Sequence, residues 1–189
     1  MAENKVKYGL KNVHYAVLTE ADGDVTYATP VEIPGAVNLS LSAQGDETKF
    51  YADNGAYYVT AANDGYSGDI EIALLPDSFR QEILGENMDT TAKVLTENAN
   101  TEPKAFALLF EFDGDQKATR HVLYNCKATR PTMSSQTTNN AKEPNTDTLS
   151  ITASPLANGN VKTKTTSETT EAVYKGWYGT VWMPSEGGA

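Results

Sequence analysis

The residues of this 189-residue chain whose types could support chemistry are two histidines, one cysteine and a few closely spaced carboxylates. Asp69 and Glu71 are separated by one residue, and on a strand such side chains point the same way, about 7 Å apart. That spacing suits the paired carboxylates of a glycosidase. It also arises on the solvated face of nearly any half-buried strand, and no neighbouring residue suggests a raised pKa. We therefore assign Asp69 and Glu71 to a solvent-facing strand.

The other candidate groups lack the companions that their chemistry requires. His14 and His121 lie far apart in the sequence, and neither belongs to an HExxH or Cys-x-x-Cys pattern. Cys126 alternates with core positions, which indicates a small buried hydrophobic residue. The chain contains no Gly-x-Ser-x-Gly elbow, no GxGxxG motif and no P-loop. The sequence thus predicts a protein that is not an enzyme, with no catalytic residue, cofactor or metal site.

Two acidic segments, Asp22-Gly23-Asp24 and Asp113-Gly114-Asp115, could suggest calcium binding. Calcium takes about six to eight oxygen ligands, and an EF-hand loop supplies them at alternate positions closed by a glutamate. Neither segment has that pattern. Both are therefore interpreted as tight turns, and Asp113-Gly114 is expected to join two strands of a hairpin.

The charge balance excludes one large class of partners. The chain has 25 acidic against 15 basic side chains, a formal net charge of −10, whereas general binding to a phosphate backbone depends on Lys and Arg. The first twenty residues carry several charges and no apolar signal-peptide core. No apolar run is long enough to cross a membrane, and one cysteine rules out an internal disulfide framework. We expect synthesis in a cytoplasm and no membrane contact.

Period-2 alternation of apolar and polar residues dominates the chain and predicts strands. Ile70, Ile72 and Leu74 are expected on one buried face. Leu109 lies on the second face of the strand predicted at 105–112, so that face should be partly covered as well. The strand segments predicted in this way are 37–44, 69–74, 105–112, 120–129 and 148–154, followed by an aromatic strand region at 171–183. In the 120–129 segment one face is expected to carry Val122, Tyr124, Cys126 and Ala128.

Turn and helix signals complete the predicted fold. Asn54-Gly55 predicts a two-residue hairpin turn with positive φ at both positions, joining strands at 49–53 and 56–61. One helix is predicted, beginning at Pro76 and ending at Gly85, with an apolar stripe on its inner side. That stripe consists of Phe79, Ile83 and Leu84. The predicted fold class is mainly β: an antiparallel β-sandwich or barrel with one short flanking α-helix.

A single domain over residues 1–189 is expected, with polar loops at about 130–148 and 158–170. Thr, Asn, Ser and Lys predominate in these two segments. They are either flexible loops or segments that become ordered only against a partner.

Four tyrosines cluster around the predicted hairpin: Tyr51, Tyr57, Tyr58 and Tyr66. Such a cluster can form cross-strand pairs within a sheet. It can also supply anchors at a protein interface, where Tyr is enriched, or an aromatic platform for carbohydrate. We assign an interface role to these tyrosines together with Asn54 and Gly55.

The segment "FYADNGAYYVTAANDGYSGDIEIALLPDSFRQEILG", together with "VKYGLKNVHYAVLTE" near the start, resembles the phi13-type major tail protein family of phages with long non-contractile tails. The resemblance runs from about Val6 to the C-terminal "YKGWYGTVWMP". Its specific part is "ADNG…GYSGDIEIALLPDSFR", and the Thr-rich section from Pro131 to Thr170 contributes almost nothing to it.

The resemblance implies a tail-tube fold, a β-sandwich with a flanking helix, similar to that of tube proteins of type VI secretion and contractile injection systems. It implies hexameric rings that stack into a tube, with the tape-measure protein inside during assembly and other tail proteins as partners. Phage DNA would pass through the lumen without specific binding. The protein would belong to the virion tail and be assembled in the host cytoplasm. The alternatives are a carbohydrate-binding β-sandwich of a host-recognition device and a tube component of a secretion or injection system.

Overall fold

The structure is a computed structural model that describes residues 3–21, 23–137 and 144–185. It is mainly β with antiparallel strand pairing, consistent with a β-sandwich, which confirms the predicted fold class. The strands are β1 Lys7–Ala21, β2 Asp24–Tyr27, β3 Val31–Glu32, β4 Ala36–Gln44, β5 Glu47–Ala52, β6 Gly55–Ala61, β7 Gly65–Ile72, β8 Asn87–Met88, β9 Leu95–Thr96, β10 Phe106–Gly114, β11 Thr119–Ala128, β12 Asp147–Ser154 and β13 Lys162–Lys164. The helices are α1 Asp77–Glu82 and α2 Glu171–Gly176.

Nine of these strands form one rolled sheet in the order β2-β1-β10-β11-β12-β7-β4, with β3 added to β1 and β13 added to β11. The sheet curls until β4 lies close to β1, although these two strands are not hydrogen bonded to each other. The rolled sheet therefore has a seam between its first and last long strands. Among the described residues, β5 pairs with β6 alone and β8 with β9 alone.

The main core lies inside the rolled sheet and is closed by α1. Phe79 of α1 meets Tyr15 edge-to-face at 5.1 Å and Phe106 at 5.5 Å between ring centroids. Ile83 and Leu84 are also buried, and Gly85 ends the segment at a φ of 74°. The helix prediction is confirmed. Each of these buried apolar side chains stabilises the fold by about 1.5–3 kcal/mol relative to an exposed one.

A second core covers the opposite face of the same sheet. Leu109 and Tyr124 are fully buried there against Trp177 and Val181, which come from the C-terminal segment 171–183. The prediction that the face of Leu109 is covered is confirmed. The strand predicted at 171–183 is wrong, because this segment forms α2 and irregular chain that packs across the sheet. Val173, Trp177 and Val181 recur every four residues, a helical period.

A β-bulge in β11 changes which residues share a face. Phe106 pairs with Cys126, but Leu108 pairs with Leu123, so β11 has one more residue than β10 in this stretch. Val122 and Tyr124 therefore face the second core, whereas Cys126 and Ala128 face the first. The predicted common face for these four residues is wrong, because strict alternation does not survive an inserted residue.

Two further predictions are corrected at strand ends. β7 ends at Ile72, so Leu74 is exposed and Leu75 is buried in its place. Gly114 is not a turn residue, because β10 continues through it and pairs with Lys7 of β1. The chain reverses after Gly114, where the Asn4 side chain accepts hydrogen bonds from the two successive amides at 116 and 117.

The remaining turn and loop predictions have mixed outcomes. Ala21 of β1 pairs with Asp24 of β2, which agrees with a tight turn, although Asp22 lies outside the described residues. The polar segment 158–170, expected as a loop, contains β13, which pairs with β11. In the 130–148 segment, residues 138–143 lie outside the described residues and β12 begins at Asp147.

The β5–β6 hairpin has a tight turn, but one residue earlier than predicted. Positive φ occurs at Asp53 and Asn54, at 50° and 62°, and Gly55 is already the first residue of β6. Asn and Asp tolerate this left-handed conformation better than most residues, which explains how the turn forms without glycine. Gly55 pairs with Ala52 across the ladder.

Two matched valine substitutions test the observed position of this turn. Asn54→Val should strain the turn by about 1–2 kcal/mol, because a β-branched residue resists positive φ. Gly55→Val should be tolerated, since an added Cβ would meet only the Ala52 carbonyl oxygen at 3.9 Å. Hydrogen–deuterium exchange of the hairpin amides measures both. Faster exchange in the Gly55 variant than in the Asn54 variant would contradict the turn assignment.

Candidate functional site

The most prominent surface feature is residues 45–64, which we call the arm; it contains β5, β6 and their connections to the sheet. β4 and β7, which flank the arm in sequence, are neighbours in the rolled sheet. Hydrogen bonds from Ala62 N to Asp46 O and from Asp64 N to Gln44 O, each 3.0 Å, continue the ribbon from the sheet into the arm. A six-residue strand extends about 20 Å. The arm is thus a prolongation of the β4–β7 hairpin.

The arm exposes its large apolar side chains. Phe50 and Tyr58 pair across the two strands and are 61% and 62% exposed. Tyr51, Tyr57 and Val59 are exposed as well. An isolated two-stranded hairpin is at best marginally stable in water, and exposed apolar clusters of this kind mark interaction sites. The cross-strand pairing that the sequence suggested is present, but it does not bury the aromatic rings within the described part of the chain.

The six residues predicted as an interface do not all lie in one place. Tyr51, Tyr57 and Tyr58 lie on the arm, Asn54 is at its tip and Gly55 begins β6. Tyr66 is in β7, just beyond the arm, and is half-buried with the Lys162 ammonium 4.3 Å from its ring centroid. Phe50 was not predicted. Its position beside Tyr51 in the predicted strand 49–53 was the available signal, but the sequence does not reveal that both faces of this ribbon are uncovered.

A second surface feature, which sequence reasoning missed, lies along and beside the seam between β1 and β4. We call it the groove and define it by Lys7, Leu39, Phe110, Phe112, Leu123 and Lys162. It consists of two adjoining cavities of about 250 and 350 Å³ that share lining residues. Apolar and polar side chains both line it, and the Lys7 ammonium lies 5.1 Å from the Phe112 ring centroid. Lysines but no acidic residues line these two cavities.

His121 also lines the groove, and its environment keeps it neutral. Its ring stacks on Phe110 with 5.1 Å between centroids. Burial, followed by the positive charges of Lys164, Lys162 and Lys7, lowers the pKa of His121 from 6.5 to about 4. At neutral pH the imidazole therefore acts as an aromatic wall of the groove and adds no positive charge.

This depressed pKa predicts a loss of stability in mild acid. Between about pH 6.5 and 4 the unfolded chain binds a proton at His121 that the folded chain does not, so stability falls as the pH falls through this window. The loss should reach about 2–3 kcal/mol. Urea unfolding at pH 7 and 4.5 measures it, with His121→Gln as the control that removes this titration. An equal acid-induced loss in both proteins would contradict the prediction.

The contacts of Cys126, Asp69 and Glu71 are those of residues with a structural role. Cys126 is fully buried, and burial raises the pKa of its thiol to about 12, so the reactive thiolate is not formed at neutral pH. Asp69 accepts a 2.7 Å hydrogen bond from Ser150, and Glu71 accepts one of 2.6 Å from Thr146. Within the ranges that the structure describes, no group of three or more His, Cys, Asp or Glu residues is arranged to hold a metal ion.

A buried carboxylate, Glu111, joins the C-terminal segment to the sheet. Its oxygens accept hydrogen bonds from Arg120 Nε at 2.9 Å, Asn12 Nδ2 at 2.8 Å and Tyr178 Oη at 3.1 Å. The Arg120 guanidinium lies 3.9 Å from the Tyr174 ring centroid and donates to the Tyr174 carbonyl. Burial and the Glu111 charge raise the pKa of the Tyr178 phenol far above its usual value. These residues form the Glu111 cluster, whose polar groups satisfy one another and hold α2 in place.

No helix in the described ranges is long and apolar enough to cross a membrane. Comparison with known proteins adds no identification, because no protein-family model and no curated protein matches this sequence. The function therefore has to be inferred from the arm, the groove and the fold that presents them.

Proposed function

We propose that this protein is a structural subunit that assembles with copies of itself, and that it is the major tail tube subunit of a phage with a long non-contractile tail. The observation that carries the proposal is the arm, a hairpin that extends the sheet and exposes Phe50, Tyr51, Tyr57 and Tyr58. Aromatic side chains of this kind are enriched among the residues that dominate protein interfaces. In the proposed assembly, hexameric rings stack into the tube that conducts the phage genome.

The sheet offers a second means of assembly. β2 and β4 are the terminal strands of its hydrogen-bonded order, and terminal strands present backbone groups that can pair with another chain. A head-to-tail contact repeated around an axis closes into a ring. Each contact between subunits should then bury more than about 1,000 Å² in total. Neighbouring subunits are thus proposed to extend one another's sheets, while the arm and the Thr-rich segment 131–148 contact adjacent rings.

The electrostatic character of the chain is compatible with a conduit for DNA. The formal net charge is −10, and a wall that repels phosphates does not retain DNA in transit. The tape-measure protein inside the tube, the other tail proteins and location in the virion belong to the same proposal and follow from the family resemblance.

A carbohydrate-binding module is the second candidate function. The exposed tyrosines of the arm favour it, because aromatic rings stack on sugars. A tube component of a secretion or injection system is a third, since its subunit surfaces would be of the same kind. The functions of the neighbouring genes would distinguish a phage tail tube subunit from a tube component of a secretion or injection system.

Purified protein tests assembly directly. Size-exclusion chromatography with light scattering and negative-stain microscopy should reveal rings with six-fold symmetry, or tubes, over a series of protein and salt concentrations. A monomer under all of these conditions would overturn the tube proposal. Retention of that monomer on a polysaccharide column would then favour the carbohydrate-binding module.

A further inference from the structure

We propose that the groove is the docking site for the arm of a second copy of this chain. The inference rests on the proposed self-assembly and deepens it, because it names the surface that receives the arm. The arm needs apolar cover for its aromatic side chains, and the groove is a depression at the seam of the sheet whose lining includes the partly exposed Leu39 and Phe112. Arm and groove are different surfaces of the same chain, so one copy can dock onto the next in a head-to-tail series, as the ring and tube proposal requires.

The size and lining of the groove suit aromatic side chains. Its two adjoining cavities of about 250 and 350 Å³ together fall within the range of small-molecule sites. Leu39 and Phe112, which are partly exposed, provide apolar contacts, and aromatic rings favour edge-to-face contacts with one another. Tyr8 and Val37 at the rim are themselves more than half exposed. Covering the groove would thus bury apolar surface on both partners.

The charges of the two surfaces are complementary. The arm carries Asp46, Glu47, Asp53 and Asp64 against the single cation Lys49, a net charge of −3. The groove is lined by Lys7 and Lys162 without a carboxylate, and Lys164 is near enough to depress the pKa of His121. Opposite charges at the rim of an interface speed encounter and set orientation.

Cross-linking between two single-cysteine variants tests the docking site. Ala56→Cys places a thiol on the arm at an exposed position and keeps its aromatic side chains, and Tyr8→Cys places one at the rim of the groove. The native Cys126 is fully buried and should stay unreactive. The two proteins are mixed under assembly conditions and treated with a short bismaleimide, and products are read by mass spectrometry. Lys104→Cys, at an exposed position outside the groove lining, replaces the groove variant in the matched control.

The expected result is a cross-linked dimer between Ala56→Cys and Tyr8→Cys, at a yield at least about tenfold above that of the Lys104→Cys control. Charge reversal provides an independent measurement. Lys7→Glu combined with Lys162→Glu should lower both the cross-link yield and assembly by at least about tenfold. The control variant, Lys104→Glu combined with Lys127→Glu, makes the same change in net charge and should assemble like the parent. Circular dichroism confirms that each variant is folded.

The outcomes separate this inference from the proposed function. If rings or tubes form without the cross-link, the docking site is overturned and the tube proposal stands. Normal assembly of the Lys7/Lys162 variant would have the same meaning. Equal losses of assembly in the two charge variants would show that overall charge is responsible, and would also overturn the docking site. A cross-link in small oligomers that never form rings would support the docking site and contradict the tube. Absence of both cross-link and assembly would overturn both.

Discussion

Replacing Phe50 and Tyr58 together by serine is expected to abolish assembly and leave the subunit folded. The two side chains are more than 60% exposed and face each other across the arm, so the fold gains little from them. In an assembly they would be desolvated, and interface aromatics of this kind contribute about 2–4 kcal/mol each. Light scattering and electron microscopy measure assembly, and thermal unfolding followed by circular dichroism measures the fold.

Two controls make this result specific. Leu74→Ser removes another large apolar side chain, one that is 73% exposed outside the arm, and should leave assembly unchanged. Ile72→Ala removes a fully buried side chain, should cost about 2–5 kcal/mol and should damage fold and assembly together. Normal rings or tubes from the Phe50/Tyr58 variant would show that the arm is not an assembly surface.

The second large effect is expected at the Glu111 cluster. Glu111→Ala should lower the free energy of unfolding by about 3–5 kcal/mol, because it leaves the partly buried Arg120 without its carboxylate partner. Two further donors, Asn12 and Tyr178, lose their acceptor at the same time. The C-terminal segment 171–183 should therefore loosen before the rest of the sheet. Urea unfolding measures the total loss, and hydrogen exchange of the segment measures its local share.

Glu171→Ala is the matched control for this prediction. Glu171 pairs with Lys175 at 3.2 Å on the exposed side of α2, and such surface pairs contribute about 0.3–0.5 kcal/mol. The double variant Glu111→Leu with Arg120→Met should recover part of the loss, since apolar replacements of a buried pair are often neutral or stabilising, whereas Asn12 and Tyr178 still lack their acceptor. If Glu111→Ala costs no more than Glu171→Ala, the cluster does not hold the C-terminal segment.

Local sequence determined the helix α1 and the strands β4, β5, β6, β7, β10, β11 and β12, whereas the long strand β1 was not predicted. Polar residues alternate with Ile70 and Ile72 in β7 and with Leu149 and Ile151 in β12. Alternation with a period of two brings all the apolar side chains to one face only if the segment is a strand. Pro76 and Gly85 bracket α1 because proline suits the start of a helix and glycine readily adopts the left-handed conformation that ends it. The tyrosine-rich hairpin was likewise visible in the sequence, since only a few residue types tolerate a tight turn.

The face of each residue and the cover over each surface were decided by tertiary structure. The bulge in β11 separates Tyr124 from Cys126 through pairing with β10, a partner distant in sequence. The 171–183 segment became α2 and irregular chain because an apolar sheet face was available to cover, which its own aromatic residues did not specify. The groove exists only because the sheet rolls until β4 lies close to β1. Alternation predicts on which side of a strand a side chain lies. Whether that side is buried depends on which other segment of the chain packs against it.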